Sequence, residues 1–151
     1  MSGIGVILNP HSKRYKTNPS RLEKMSLLIS NKATYIPTRT KEELQSVISK
    51  FKEQNLDIVA ISGGDGTIHF TLTELIKVYG DKRLPKIALL RGGTLNLIAN
   101  TLGIRSTTAR ILTRLLKRYH NDQKLKFKKL RLMKINQEYG LSLIHISEPT
   151  R

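Results

Sequence analysis

The chain has 151 residues, with 27 lysines and arginines against 11 acids, and a net charge of +16. That length suits one domain with its own core, and 38% hydrophobic residues argue for a folded chain and against disorder. There is no cysteine, which excludes disulfides and thiolate metal sites, and no apolar stretch approaches the roughly 20 residues of a membrane span. The opening apolar run, Ile4 to Leu8, is too short for a signal sequence, so the expectation is a cytoplasmic protein. Its surface should attract anions: nucleotides, anionic lipid heads or nucleic acid.

Ile4 to Leu8 reads as a buried strand, stopped by Asn9-Pro10. Asn18-Pro19 can open a helix bearing Leu22, Met25 and Ile29 at helical spacing. Ala33 to Ile36 reads as a second strand. Thr40 and Glu43 form a capping box before a helix with Leu44, Val47, Ile48 and Phe51 on one face. Leu56 to Ile61 is an almost wholly apolar third strand, as expected where a parallel sheet is covered on both faces. Gly63-Gly64-Asp65-Gly66-Thr67 follows, then a helix with Ile68, Leu72, Leu75, Ile76 and Tyr79, ended by Gly80. Lys86 to Leu90 is the fourth strand, and Arg91-Gly92-Gly93-Thr94 is a second glycine turn. A short helix from Leu95 to Leu102 ends at Gly103, and Ser106 can cap a helix with Ile111, Leu112, Leu115, Leu116 and Tyr119. The order βαβαβαβα predicts an α/β fold, a doubly wound, mostly parallel sheet flanked by helices. Beyond it, Leu125, Phe127, Leu130, Leu132 and Ile135 resemble an alternating strand with one slip.

In an open parallel sheet, ligands bind beyond the carboxyl ends of the strands. Both glycine turns fall at such ends and each opens a helix, and Asn9-Pro10-His11-Ser12 supplies a third polar strand end. Glycine tolerates positive φ and lets a ligand approach the backbone, so successive N–H groups can cradle a phosphate at a helix N-terminus. Thr67 adds a hydroxyl. Asp65 would repel a phosphate unless Mg²⁺ bridges the charges, or unless it orients or deprotonates a hydroxyl; otherwise it simply caps the helix. His11, His69 and His120 lack the paired spacing of zinc sites, so no metal ligand is assigned and ordinary surface or packing roles are expected.

GGDGT after a strand, then GGT-Leu-Asn, with an Asn-Pro-x-Ser start, resembles the diacylglycerol kinase catalytic family, which includes sphingosine kinases and bacterial lipid kinases. NAD kinases and phosphofructokinases share a related phosphate loop. The resemblance covers residues 3 to about 140. It implies ATP and Mg²⁺ as cofactors, bound in a cleft between an N-terminal α/β domain and a β-rich C-terminal domain. It places Asn9, Ser12, Thr38, Gly63, Gly64, Asp65, Gly66, Thr67, Gly93, Thr94 and Asn96 around the nucleotide, with Asp65 as the catalytic candidate. It departs from the family in three places: Leu97 stands where an aspartate is frequent, His69 where asparagine is frequent, and Arg91 where a small residue or proline is frequent.

On that resemblance, residues 1–122 form the nucleotide-binding domain and 123–140 begin the crossing into a β domain whose remainder is missing. Residues 141–151, Leu-Ser-Leu-Ile-His-Ile-Ser-Glu-Pro-Thr-Arg, match a translation of a transposase adapter used in sequencing libraries. The expectation is a native sequence that stops near Gly140, leaving His145 and Glu148 outside any site. The leading functional expectation is an ATP-dependent lipid kinase that is inactive as this piece alone. The alternatives are a NAD kinase-like phosphotransferase and a non-catalytic nucleotide- or nucleic-acid-binding module. Aromatics at 5%, no tryptophan and no nucleic-acid motif argue against nucleic acid. The basic segment from Arg105 to Lys134 is expected to dock peripherally on an anionic membrane surface, where the lipid substrate lies.

Overall fold

A computed structural model of the protein describes residues 3–11, 13–29, 33–91, 103–125, 127, 132–136 and 138–141. Four parallel strands form one sheet: β1 (Ile4–Leu8), β2 (Thr34–Pro37), β3 (Ile58–Gly63) and β4 (Lys86–Arg91), in the order β2-β1-β3-β4. The helices are α1 (Lys13–Thr17), α2 (Ser20–Ile29), α3 (Lys41–Gln54), α4 (Asp65–Tyr79) and α5 (Thr108–His120). A separate antiparallel hairpin pairs β5 (Leu132–Ile135) with β6 (Glu138–Leu141), and β6 lies against α4.

Two cores explain the unbroken apolar strands, because each strand alternates its side chains between two covered faces. Ile7, Val59, Ile61 and Leu89 pack beneath α3 and α4, with Phe51, Ile48, Leu72 and Leu75. Val6, Leu8, Ile58, Ala60 and Leu90 pack beneath α2 and α5, with Met25, Ile29, Leu112 and Leu116. In the middle of β1, Gly5 makes room for α3: a Cβ there would lie 2.6 Å from Cε2 of Phe51. The first face also buries a charge. Glu74 of α4 is 1% exposed, accepts from Gln45 Nε2 at 2.8 Å, and faces Lys41 Nζ at 3.9 Å.

The helix ends follow the expected chemistry, with corrections. Thr40 Oγ1 accepts from Glu43 N–H at 3.1 Å, but the Glu43 carboxylate reaches past the cap to Arg39 N–H at 2.7 Å. Gly80 ends α4 at φ 56°, and Asn55 ends α3 in the left-handed region at φ 58°. The cap of α5 is Thr107, whose Oγ1 accepts from Arg110 N–H at 3.3 Å, and not Ser106. The strand expected from Leu56 begins two residues later and runs through Gly63: Leu56 N–H still closes the end of α3 on Phe51 C=O, and Asp57 leads into the strand, bonded to Gly3 C=O and Lys86 N–H. The long alternating strand expected from Leu125 is shorter. Among the described residues it is Leu132–Ile135, and its partner is the next four-residue strand. The short helix α1 was not legible in the sequence. The expected helix from Leu95 to Leu102 lies outside the described residues, as do residues 142–151.

Candidate functional site

The strand order creates a switch point between β1 and β3. From β1 the chain winds outward to β2, then crosses back to β3 on the other side, so the connections diverge from the carboxyl ends of the two central strands. Open α/β sheets hold their ligands in the crevice at that point. Here the residues at the crevice are Asn9, just beyond β1, and Gly63-Gly64, at the end of β3.

A hydrogen-bond chain fixes these two ends against each other. Asn9 N–H donates to Ser62 C=O at 3.3 Å. The Asn9 side chain donates from Nδ2 to Thr67 Oγ1 at 3.3 Å and accepts at Oδ1 from His11 N–H at 2.9 Å. Asn9 thus ties the first loop to the first turn of α4 while holding its own turn. Since Thr67 Oγ1 accepts from Asn9, its own O–H is left as a donor. Beneath them, the Tyr15 hydroxyl and Ser62 Oγ share a buried 2.9 Å hydrogen bond that pins α1 to the end of β3. Sequence reasoning passed over this pair, although a serine inside an apolar strand is a signal of a buried hydroxyl needing a partner.

The glycines of the central turn act by their size. Gly64 is the N-cap of α4 with φ −80° and ψ −177°, an extended backbone open to any residue, so glycine's tolerance of positive φ is not used there. Gly63 is required by contact: a Cβ on it would lie 2.5 Å from both Cβ and Cγ2 of Thr67 and 2.8 Å from Oγ1. Gly66 is the reverse case, with no atom within 4 Å of an added Cβ. It leaves an open, exposed side on the first turn of the helix. The first intrahelical bond runs from Ile68 N–H to Gly64 C=O at 3.1 Å. The N–H groups of Asp65, Gly66 and Thr67 therefore precede the helical ladder, where the positive end of the helix dipole lies. The alternative role for Asp65 as the helix cap is also set aside, since Gly64 occupies the cap and Asp65 is the first helical residue.

Thr38 joins the same end of the sheet. It is 8% exposed, and its N–H donates to Leu8 C=O at 3.1 Å, which sets it beside Asn9. Gly63 stands in register with Arg91, so the chain leaves β4 beside the central turn. Of the expected nucleotide residues, Asn9, Thr38, Gly63, Gly64, Asp65, Gly66 and Thr67 thus converge on one crevice. Ser12, Gly93, Thr94 and Asn96 lie outside the described residues, as does Leu97. Among the described residues no three acidic or histidine side chains gather as a metal site. Mg²⁺ needs only one or two carboxylates when phosphates and water complete its shell, and Asp65 meets that requirement in kind.

A different cavity, of about 610 Å³, opens at the opposite, amino-terminal end of the sheet, lined by Leu56, Asp57, Tyr79, Lys86, Tyr119 and Phe127 among others. Three helices finish there, so it is offered their negative dipole ends, set against the cations Lys82, Arg83 and Lys86 of the lining, and, among the described residues, no helix N-terminus. Its chemistry is structural: Tyr119 donates to Asp57 Oδ2 at 2.6 Å and accepts from Gly3 N–H at 2.7 Å, which closes α5 onto the start of β1. Burial, then the Asp57 carboxylate, pushes the Tyr119 hydroxyl above its ordinary pKa.

The profile of the diacylglycerol kinase catalytic domain matches residues 3–126. The fold is similar to a solved structure described as a diacylglycerol kinase from Bacillus anthracis str. Sterne, with a TM-score of 0.67 and 21% identity over 91% of this chain and 45% of that one. A second structure from the same organism, provisionally described as a diacylglycerol kinase, gives a TM-score of 0.66 and 20% identity over 91% of this chain and 47% of that one. The chain therefore spans about half the length of the structures it matches. No curated protein matches it. No helix among the described residues is long and apolar enough to cross a membrane.

Proposed function

The chain belongs to the diacylglycerol kinase catalytic domain family, and from that premise we propose that it is the nucleotide-binding half of an ATP-dependent lipid kinase. The reaction is transfer of the γ-phosphoryl group of ATP to a lipid hydroxyl. One observation carries the reading: the Asn9–Thr67 hydrogen bond at the switch point holds the polar end of β1 against the first turn of α4. That arrangement presents a preformed donor set at the place where this fold class receives nucleotides.

The residues divide the work. Gly66 leaves the open side on which phosphate oxygens can approach the backbone. The first-turn N–H groups and the Thr67 hydroxyl donate to them, and Asn9 keeps Thr67 in place. Mg²⁺, bound with ATP, supplies neutralisation of the phosphate charge. Asp65, at the head of α4, either shares that ion or accepts the proton of the lipid hydroxyl. Such catalysis is mainly positioning and charge compensation, so a rigid crevice is the main requirement on this half. The other wall of the cleft belongs to the second domain of the family, and this chain alone is expected to bind nucleotide without turning over.

The test is phosphoryl transfer from ATP to dispersed diacylglycerol, and separately to NAD, by the protein expressed from its full gene. Transfer to the lipid, abolished by Asp65→Asn with ATP binding kept, is the expected result. Transfer to NAD with none to the lipid would replace this reading by a NAD kinase-like one, and full activity of Asp65→Asn would remove the role of that carboxylate.

A further inference from the structure

The positive charge of the helices is segregated onto one side of the sheet. On one side, α2 and α5 carry Arg21, Lys24, Arg110, Arg114, Lys117 and Arg118, all exposed, against the single acid Glu23. On the other side, α3 balances three lysines with three glutamates, and α4 holds Asp65 and Glu74 against Lys77. α2 and α5 thus sum to +5 before the histidine is counted, and α3 and α4 to −1. Charge that served solubility alone would have no reason to divide this way.

The division follows helix geometry. In α5 the buried residues are Thr108, Leu112, Leu116 and Tyr119. Arg110, Arg114 and Lys117 recur at spacings of four and three along the opposite side, so they form one stripe facing away from the core. α2 packs beside α5, and both insert into the same core, with Met25 and Ile29 next to Leu112 and Leu116. One turn beyond Lys24 on α2 lies an apolar residue that the core does not use: Leu27 is 77% exposed. A groove of about 310 Å³ also runs between the two helices, with Leu28 and Leu116 in its wall and Lys117 and His120 beside them.

We infer that the outer face of α2 and α5 is a docking surface for an anionic phospholipid bilayer. Cations on a shared face add their attraction to a negative surface, at about 1 kcal/mol each, or roughly fivefold in partition per residue. Six of them suffice for reversible adsorption without an inserted helix. The leucines of α5 face the core, so the contact is electrostatic, with Leu27 as the one apolar side chain poised to enter the interface. That residue favours a bilayer over a nucleic acid, since a leucine gains from hydrocarbon and gains little from a phosphodiester backbone. α5 closes onto Gly3 at the amino-terminal end of the sheet, so it runs alongside the strands, and a bilayer against it leaves the crevice at the carboxyl ends opening along the membrane plane. The docking surface agrees with the lipid kinase reading and stands independently of it.

The test uses vesicles of phosphatidylcholine with or without phosphatidylglycerol, and no ATP or diacylglycerol, so its outcome does not depend on kinase activity. Two double variants change the net charge equally: Arg114→Glu with Lys117→Glu on the inferred face, and Lys50→Glu with Lys77→Glu on the other. At about 0.1 M salt, charges more than about 10 Å from the bilayer are screened. The first pair should weaken co-sedimentation with anionic vesicles by at least about 30-fold. The second should leave it within about threefold. Because the chain has no tryptophan, Leu27→Trp gives a single fluorescent reporter, which should shift to the blue on anionic vesicles and not on neutral ones. Equal losses from the two double variants, equal binding to neutral and anionic vesicles, or an unmoved Trp signal in vesicle-bound protein would overturn the inference. So would salt-sensitive binding to duplex DNA with no binding to vesicles.

Discussion

Alanine at Gly63 and alanine at Gly66 should have opposite effects on stability and the same effect on nucleotide binding. A Cβ at position 63 would sit 2.5 Å from two carbons of Thr67 and 2.8 Å from its hydroxyl oxygen. Carbon atoms pack at about 3.5–4.0 Å, so the first turn of α4 must retreat by about 1 Å. Overpacking of this kind costs about 1–3 kcal/mol, which in a domain of this size lowers the melting temperature by roughly 2–12 °C. The same retreat carries Thr67 away from Asn9, whose bond to it is already 3.3 Å long. At Gly66 the added methyl meets nothing within 4 Å. Replacing a helical glycine there should stabilise the fold by up to about 1 kcal/mol. The methyl would nevertheless occupy the open side on which phosphates approach. Thermal unfolding by circular dichroism and equilibrium ATP binding measure the two effects. A Gly66→Ala protein with undiminished ATP affinity would refute the cradle, and an unchanged melting temperature for Gly63→Ala would refute the steric argument.

Asn9→Ala removes the bond to Thr67 and the turn bond from His11; about 1 kcal/mol of lost positioning should weaken ATP binding by roughly three- to tenfold. Calorimetric titration checks this, and an unaltered affinity would show that the bond does not serve the site. Tyr119→Phe removes a 2.6 Å donation to a carboxylate and the acceptor of Gly3 N–H, at an expected cost of about 1.5–3 kcal/mol in urea unfolding. Because burial and Asp57 raise the Tyr119 pKa in the folded state, the stability it contributes is fully present below about pH 10, the unfolded value, and is lost as pH rises through the folded one. The alkaline fall in urea midpoint should be shallower in Tyr119→Phe, with Tyr79, also raised by burial, supplying the remainder; identical falls would contradict the assignment.

Much of the fold was legible because its strands are buried on both faces. The runs at Ile4–Leu8 and Ile58–Gly63 carry that signature openly, and the turns after them could be placed at carboxyl ends before any strand order was known. The Thr40 cap was legible for a related reason, since its partner is three residues away. What escaped depends on contacts distant in sequence. Nothing near Gly63 shows that its missing Cβ accommodates Thr67 and not a strained φ. Asn9 and Thr67 are 58 residues apart, and their hydrogen bond exists only because the sheet sets β1 beside β3. Ser106 and Thr107 are equally good caps by chemistry, and the choice between them is made by where Leu112 and Leu116 must meet the core. The basic segment from Arg105 was visible in the sequence, yet the residues of α2 that share the inferred docking face with it, Arg21, Lys24 and Leu27, lie about eighty positions earlier.

Backbone amide NMR of the ¹⁵N-labelled chain, titrated with ATP and Mg²⁺, places the nucleotide directly. If the crevice between β1 and β3 binds the phosphates, the amides of Asn9, Asp65, Gly66 and Thr67 should shift together and saturate, and adenosine should move them far less. Shifts confined to Leu56, Lys86 and Phe127, around the cavity at the other end of the sheet, would contradict the assignment of the phosphate site.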